Sequence, residues 1–334
     1  MVDVYRVEYR VYGRPLRRSL VTHHGTWRVR RGIIVRLIDA EGRWGLGEIA
    51  PLPDFGSETL EAAIAFCQSL PARISGEAIG AIPATLPATQ FGFESALAMQ
   101  HSPRPEVSQI DFPAGAIAYL LPTGKAALTH WQTAWEGGSR TMKWKIGVTE
   151  MEQELRWLAD LVEQLPANVR LRLDANGGLT KDQAQRWLAA CDAYSAAHAQ
   201  IEFLEQPLPP AQFDLMLTLS QRYRTPVALD ESVANLQQLQ KCYERGWRGP
   251  VVIKAAIAGF PSQLLTFCRT HAVDVVWSSV LETAIAQRYI FDHLMPALPQ
   301  CRRAIGFGVN HWFAPSALDV YPAAADELWE RLSA

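Results

Sequence analysis

The sequence predicts an α/β protein in two parts: an N-terminal α+β region and a closed barrel of parallel strands alternating with helices. Three observations predict it. From about residue 112, strand-like and helix-like segments alternate without a break, which implies a parallel sheet, and eight strands fit a closed barrel better than an open sheet. Residues 1 to about 110 follow another pattern, with strands that alternate polar and apolar positions. Charged residues close five strands in succession: Lys143 and Lys145, then Asp174, Glu205, Asp230 and Lys254. In a parallel barrel all such ends converge on one face, the C-terminal mouth.

In the first part, 2–11 and 27–38 alternate as antiparallel strands. Between them, 17–26, with His23-His24-Gly25, reads as a long loop, and the two histidines are too isolated for a metal site. Gly42 and the turn Gly45-Leu46-Gly47-Glu48 read as closing a further hairpin. The spacing predicts a helix over 57–70, with Ser57 as its N-cap and Pro71 beyond its end, and a shorter one over 91–100. Ser102-Pro103-Arg104-Pro105 reads as the connector to the barrel.

In the barrel, strand 116–121 precedes helix 125–136, strand 140–146 precedes helix 150–165, and strand 169–174 precedes a helix opening at Thr180-Lys181-Asp182-Gln183, a capping-box pattern. Strands 201–205, 226–230, 251–254 and 273–277 precede helices 210–222, 232–244, 261–270 and 282–293. Strand 304–307 is the eighth, and 311–334 is amphipathic and expected to return to the N-terminal part.

At 334 residues the chain can bury about three-quarters of its unfolded surface, enough for a barrel and an accessory domain. Hydrophobic content of 49%, mean hydropathy of -0.04 and net charge of -2 describe an ordinary globular enzyme and give no reason to expect nucleic-acid binding. Most of the arginines at 17, 18, 28, 30 and 31 read as solvated edge-strand residues. Five scattered cysteines without a C-x-x-C pair fit a reducing compartment. With no leader-like start and no apolar run of membrane-spanning length, the expectation is a cytoplasmic protein.

Three carboxylates at consecutive strand ends are hard to explain as helix caps, although any one alone would be read so. Together Asp174, Glu205 and Asp230 need a cation and make an oxygen-only site suited to Mg²⁺, with a small carboxylate substrate and water completing it. Asn176 and Glu231 stand where they would orient those ligands, or serve the turns they sit in. Lys143 and Lys145 share one side of their strand, and Lys254 closes a purely apolar one. Lysines beside a metal suggest proton transfer next to a carboxylate. Ser278 and Ser279 precede a helix, where hydroxyls and N–H groups bind a substrate carboxylate or simply cap. Neither Gly45-x-Gly47 nor Gly306-x-Gly308 completes a dinucleotide fingerprint, and no nucleophile elbow is present.

In this order and spacing, Lys143-x-Lys145, Leu173-Asp174-Ala175-Asn176, Leu204-Glu205-Gln206-Pro207, Leu229-Asp230-Glu231-Ser232 and Ile253-Lys254 resemble the enolase superfamily, muconate-lactonizing subgroup, over about 1–320. The base-plus-Mg²⁺ strategy of that superfamily is general knowledge. The resemblance implies a modified TIM barrel, (β/α)7β-like (111–310), with an N-terminal α+β capping domain (1–110) over its mouth and the 17–27 segment closing over substrate. It implies Mg²⁺, with Mn²⁺ as a substitute, on Asp174, Glu205 and Asp230.

The motifs Gly47-Glu48-Ile49-Ala50-Pro51-Leu52-Pro53, Arg172-Leu173-Asp174 and Ser278-Ser279-Val280-Leu281-Glu282 resemble members that dehydrate a cyclohexadiene carboxylate to an aromatic ring through a metal-stabilised enediolate. By that resemblance Lys145 is the base, Lys254 stabilises the intermediate from the opposite face, Lys143 lies near the substrate carboxylate, and Arg172, Ser278 and Ser279 bind substrate. Racemases of N-succinylamino acids and dipeptide epimerases use the same lysine pair. The Asp-x-Asp that such epimerases carry after the eighth strand is missing from Gly306-Phe307-Gly308-Val309-Asn310-His311.

Overall fold

The computed structural model describes residues 3–22, 25–102, 112–113, 115–198, 201–322 and 325–332. Two long strands, β1 (Val4–Thr22) and β2 (Gly25–Ile38), pair antiparallel; β3 (Trp44–Ile49) joins β2, and β4 (Arg73–Ser75) joins the other edge of β1, in the order β3-β2-β1-β4. Helices α1 (Leu60–Ser69), α2 (Gly76–Gly80) and α3 (Pro87–Met99) complete this part. Both faces of β2 are covered at this end: Ile33, Val35 and Leu37 on one side and Ile34 on the other are fully buried.

Two expectations are corrected here. Residues 17–22 and 25–26 are strand rather than loop, with Leu20, Val21 and Thr22 opposite Trp27, Thr26 and Gly25 after a register shift between Pro15 and Leu20. Pro15, which lacks an N–H, and the polar run Arg17-Arg18-Ser19 hide the strand period. The main-chain ladder and the stacking of Arg14 on Phe313 and Arg18 on Trp312 support it instead. His23 and His24 lie outside the described residues, as do 103–105 of the expected connector. Gly45 and Gly47 lie inside β3, and the turn is at 39–43, where Asp39 accepts from the N–H groups of Glu41 and Arg43. Both glycines let α3 approach: a Cβ on Gly45 would stand 2.0 Å from the carbonyl oxygen of Ala96, and one on Gly47 1.9 Å from that of Gly92.

Gly47→Ala is therefore expected to lower unfolding free energy by ~3 kcal/mol or more, the upper end of over-packing costs, since a backbone rather than a flexible side chain is in the way. Urea denaturation checks this, and an unchanged midpoint would contradict it. The first helix is capped by Thr59, not Ser57; its hydroxyl accepts from the Ala62 N–H at 3.1 Å, while Ser57 accepts from Leu52.

The second part runs β5 (Tyr119–Leu120), α4 (Ala127–Glu136), β6 (Thr141–Lys145), α5 (Met151–Gln164), β7 (Arg170–Asp174), α6 (Lys181–His198), β8 (Ile201–Glu205), α7 (Phe213–Arg222), β9 (Val227–Ala228), α8 (Leu236–Glu244), β10 (Val251–Ile253), α9 (Pro261–Thr270), β11 (Val275–Trp277) and α10 (Ala284–Tyr289). Strands β5 to β9 form one parallel sheet in sequence order, and β10 pairs with β11. Parallel bridges Leu229–Val251, Ser278–Gly306 and Ile117–Ile305 join the remaining edges, so Ile305 and Gly306 form the eighth segment and close the barrel. At the start of α6, Thr180 and Gln183 exchange side-chain-to-backbone hydrogen bonds, the reciprocal cap that the sequence predicts.

Barrel and sheet share one core, while Phe203, Ala228, Val252 and Val276 form a separate cluster inside the barrel. The tail lies against the first sheet: Arg14 pairs with Asp319, Arg36 with Asp326, and Arg36 stacks on Trp329. Among the described residues no helix is long and apolar enough to cross a membrane.

Candidate active site

The interior cluster fixes which strand-end side chains face the mouth. Side chains alternate along a strand, so two residues beyond Phe203, Ala228, Val252 and Val276 come Glu205, Asp230, Lys254 and Ser278, all on the inner side. On β6 and β7, Lys143 pairs with Arg172 and Lys145 with Asp174, and Arg172 pairs in turn with Phe203. The structure thus brings Lys143, Lys145, Asp174, Glu205, Asp230, Lys254 and Ser278 to one end of the barrel.

The three carboxylates are almost wholly buried. Lys143 Nζ lies between two of them, 2.8 Å from Asp174 Oδ2 and 2.7 Å from Glu205 Oε1, and Lys254 Nζ is bonded to Asp230 Oδ1. Lys143 therefore sits among the expected metal ligands. Lys145 makes no ion pair or hydrogen bond with any described residue and is half-buried at the mouth.

Burial raises the Glu205 carboxyl to about 7, with Asp174 and Asp230 adding to the rise against the opposing Lys143. Burial also raises Asp230, against Lys254. Asp174 moves the other way, because Lys143 and Lys145 outweigh its burial. Burial would lower Lys143, but the carboxylates of Asp174, Glu205 and Asp230 hold its ammonium well above the ordinary lysine range.

Asn176 donates from its backbone N–H to Asp174 Oδ1 at 3.0 Å and from Nδ2 to Glu231 Oε1 at 3.2 Å, so it ties two acids together. It does so at φ 44°, and Gln206, directly after Glu205, sits at φ 35°. Strain of this kind concentrates at functional sites. Gln206 is a residue that sequence reasoning missed as a functional one. Its Oε1 accepts from the Asp230 N–H at 2.9 Å and its Nε2 donates to Ser232 Oγ at 2.8 Å, which anchors the acid that follows β9 to the end of β8. Phe55 was also missed. The first part carries it across the mouth, and Lys254 Nζ lies 3.7 Å from its ring centroid. Gln206 stands in the quoted Leu204-Glu205-Gln206-Pro207 segment, but its role, like that of Phe55, rests on contacts with other elements that the sequence does not show.

Two expected substrate-binding residues have other partners. Arg172 starts one layer below the mouth and turns away from it, with Nε on Glu202 Oε2 at 2.7 Å and Nη1 on the Ala304 carbonyl at 2.8 Å. Glu202 also takes Arg303, which pairs with Asp274, so Arg172 belongs to an ion chain at the barrel floor. Ser279 faces away from the interior and donates to Glu282 Oε2 at 2.9 Å. Ser278 keeps its place at the mouth, next to Gly306, where a Cβ would come within 2.9 Å of its hydroxyl.

The donor set suits a small hard cation. All the candidate donors are carboxylate oxygens, burial holds the Glu205 carboxyl above its ordinary range even with Lys143 beside it, and Glu231 Oε2 is buried without a hydrogen-bond partner. Among the described residues no three His, Cys, Asp or Glu side chains are drawn together tightly enough to count as a metal cluster; Lys143 and Lys254 supply the countercharge.

A capped barrel with lysines and carboxylates converging at its mouth defines a class, the enzymes that move protons next to a carboxylate. Residues 126–323 match the family model described as enolase C-terminal domain-like, and 3–100 match that described as MenC, N-terminal domain. The chain is 44% identical to the o-succinylbenzoate synthase of Thermosynechococcus vestitus, over 98% of this chain and 99% of that one. The crystal structure of o-succinylbenzoate synthase from Thermosynechococcus elongatus, with magnesium in its active site, superposes with a TM-score of 0.88 at 43% identity, covering 98% and 99% of the two chains. The L-Ala-D/L-Glu epimerase of Bacillus subtilis shares the fold, with a TM-score of 0.71 at 18% identity over 93% and 91%. The chain belongs to the o-succinylbenzoate synthase family of the enolase superfamily.

Proposed function

We propose that this protein carries out the o-succinylbenzoate synthase reaction: loss of water from 2-succinyl-6-hydroxy-2,4-cyclohexadiene-1-carboxylate to give 2-succinylbenzoate, a step of menaquinone or phylloquinone biosynthesis. The observation that carries the reading is the mouth itself, with Lys145 and Lys254 projecting inward beside three buried carboxylates, in a chain nearly co-extensive with o-succinylbenzoate synthases.

Asp174, Glu205 and Asp230 would hold Mg²⁺, with Asn176 and Glu231 orienting them. A Mg²⁺ ion held there would supply a site for the substrate carboxylate and positive charge against the negative charge that develops on it. Lys145 Nζ, which has no competing ion pair, removes the proton on the carbon next to the carboxylate. The ring hydroxyl then leaves as water with a proton returned by the same ammonium, and the electron pair of the broken C–H bond becomes the last double bond of the aromatic ring. Lys254, on the other side of the mouth, sets its positive charge against the ring as that charge spreads. Lys143 holds Asp174 and Glu205 in place and adds positive charge near the carboxylate. Ser278 faces the same space. The succinyl and ring carboxylates make the substrate a dianion, which suits a lysine-lined mouth.

Proton NMR of the product tests the reading: the diene is expected to give 2-succinylbenzoate, and recovery of unchanged diene would oppose it. Phe55→Ala is expected to lower kcat/KM about tenfold, the cost of about one partly desolvated cation–π contact and its packing. Phe55→Tyr should restore most of the loss, and equal activity in all three proteins would remove Phe55 from the site.

A further inference from the structure

The connection after the seventh barrel strand holds a buried acid that the reaction above does not use. Glu282 is 1% exposed. Its Oε2 accepts from the Ser279 hydroxyl at 2.9 Å and from the Val280 N–H at 2.6 Å, and Ser279 Oγ accepts in turn from the Leu281 N–H at 2.8 Å. These bonds close a turn in which Leu281 is held at φ 65°, a conformation that a branched apolar side chain rarely adopts. The turn follows directly on Ser278, the mouth-facing residue beside Lys254.

The other oxygen, Oε1, is buried with no hydrogen-bond partner. An ionised carboxylate left so is far more expensive than the neutral acid. The groups facing it from the N-terminal sheet do not relieve a charge. Glu48 on β3 is itself a buried acid, satisfied by Tyr12 of β1 at 2.5 Å and by the N–H and hydroxyl of Thr283 at 2.9 and 2.6 Å. Arg30 on β2 spends its N–H groups on the carbonyls of Val280, Arg31, Pro51 and Ala50. Among the described residues no ion pair reaches Glu282.

We propose that Glu282 is a positioning residue for the dehydration: as an uncharged acid it clamps the 279–282 turn under the N-terminal sheet and so fixes Ser278 at the barrel mouth. The inference rests on the function proposed above. Burial is the largest influence and, with Glu48 adding to it, pushes the Glu282 carboxyl up to about 7 against the hydrogen bonds it accepts from its own backbone, Ser279 and Val280. Its folded value lies above its ordinary one, so the folded state holds the extra proton. Stability from this group falls as pH rises from the ordinary carboxylate range to about 7, and the clamp is lost as pH passes through that value.

Two measurements separate this from a merely structural role. In infrared difference spectra of the wild type against Glu282→Gln, taken without substrate, a protonated-carboxyl carbonyl band is expected at about pH 6 and is expected to vanish by about pH 8. In the pH profile of kcat/KM, Glu282→Gln is expected to stay within about threefold of wild type at the acidic end and to lose a decline of about tenfold that wild type shows over the same range. Glu282→Ala is expected to lose about tenfold throughout, with thermal melting still cooperative. No carboxyl band, or identical profiles for wild type and Glu282→Gln, would overturn the proposal. Because the infrared band needs no turnover, its presence in a protein that does not dehydrate the diene would leave the protonated acid standing and reject the assigned reaction instead.

Discussion

Lys145→Ala is expected to reduce dehydration by about 10³-fold or more, the scale on which a positioned acid–base group contributes, and more here because one ammonium both takes and returns the proton. The effect should lie in kcat. Lys145 makes no ion pair or hydrogen bond with a described residue and is half-buried, so its removal leaves no buried charge unpaired, and folding and Mg²⁺ binding should survive. The contrast is Lys143→Ala. That change strips the ammonium from Asp174 and Glu205 at 2.8 and 2.7 Å and should disturb the metal site itself. Lys145→Arg should not rescue, since a guanidinium stays protonated and cannot serve as a base. Calorimetric Mg²⁺ titration alongside kcat separates the two roles. Retained turnover in Lys145→Ala would sink the base assignment.

Glu205→Gln is the second large effect. It is expected to weaken Mg²⁺ binding by about 100-fold or more, beyond what loss of an orienting residue costs, and to abolish turnover at low Mg²⁺ in proportion. Glu205 stands between the other two acids in strand order, and Lys143 donates to it. Replacing it removes the central negative charge while keeping the shape of the side chain. Partial recovery at high Mg²⁺ is expected, because Asp174 and Asp230 remain. Unchanged Mg²⁺ affinity in a folded variant would place the metal elsewhere.

The barrel was legible in the sequence because each βα unit carries its own signal: an apolar strand, a charge at its end, and a helix behind it. The acids and Lys145 and Lys254 fall on one end because they close parallel strands at inward-facing positions. The strand pairing of 20–22 with 25–27 was not legible, since it rests on main-chain bonds and on rings contributed from 312 and 313, nearly three hundred residues away. Gly45 and Gly47 look like turn residues locally; only the backbone of α3, which passes within contact of them, explains why they sit in a strand. Arg172 precedes a strand-end acid by two residues and so shares its side of the strand, but its length lets it turn toward the Ala304 carbonyl at the opposite end of the barrel. Alternation predicts the face of a side chain and not its direction along the axis. Gln206 and Phe55 were missed for the same reason, as their partners lie on other elements.

The central claim is a metal-dependent dehydration at this mouth. It is tested most directly by following ring aromatisation of 2-succinyl-6-hydroxy-2,4-cyclohexadiene-1-carboxylate by ultraviolet absorbance, with Mg²⁺, after EDTA, and after Mg²⁺ is restored. The predicted result is turnover that stops with EDTA and returns with Mg²⁺. Folded protein that binds Mg²⁺, leaves the diene intact and instead exchanges the α-hydrogen of an N-acyl amino acid or dipeptide for deuterium would contradict it.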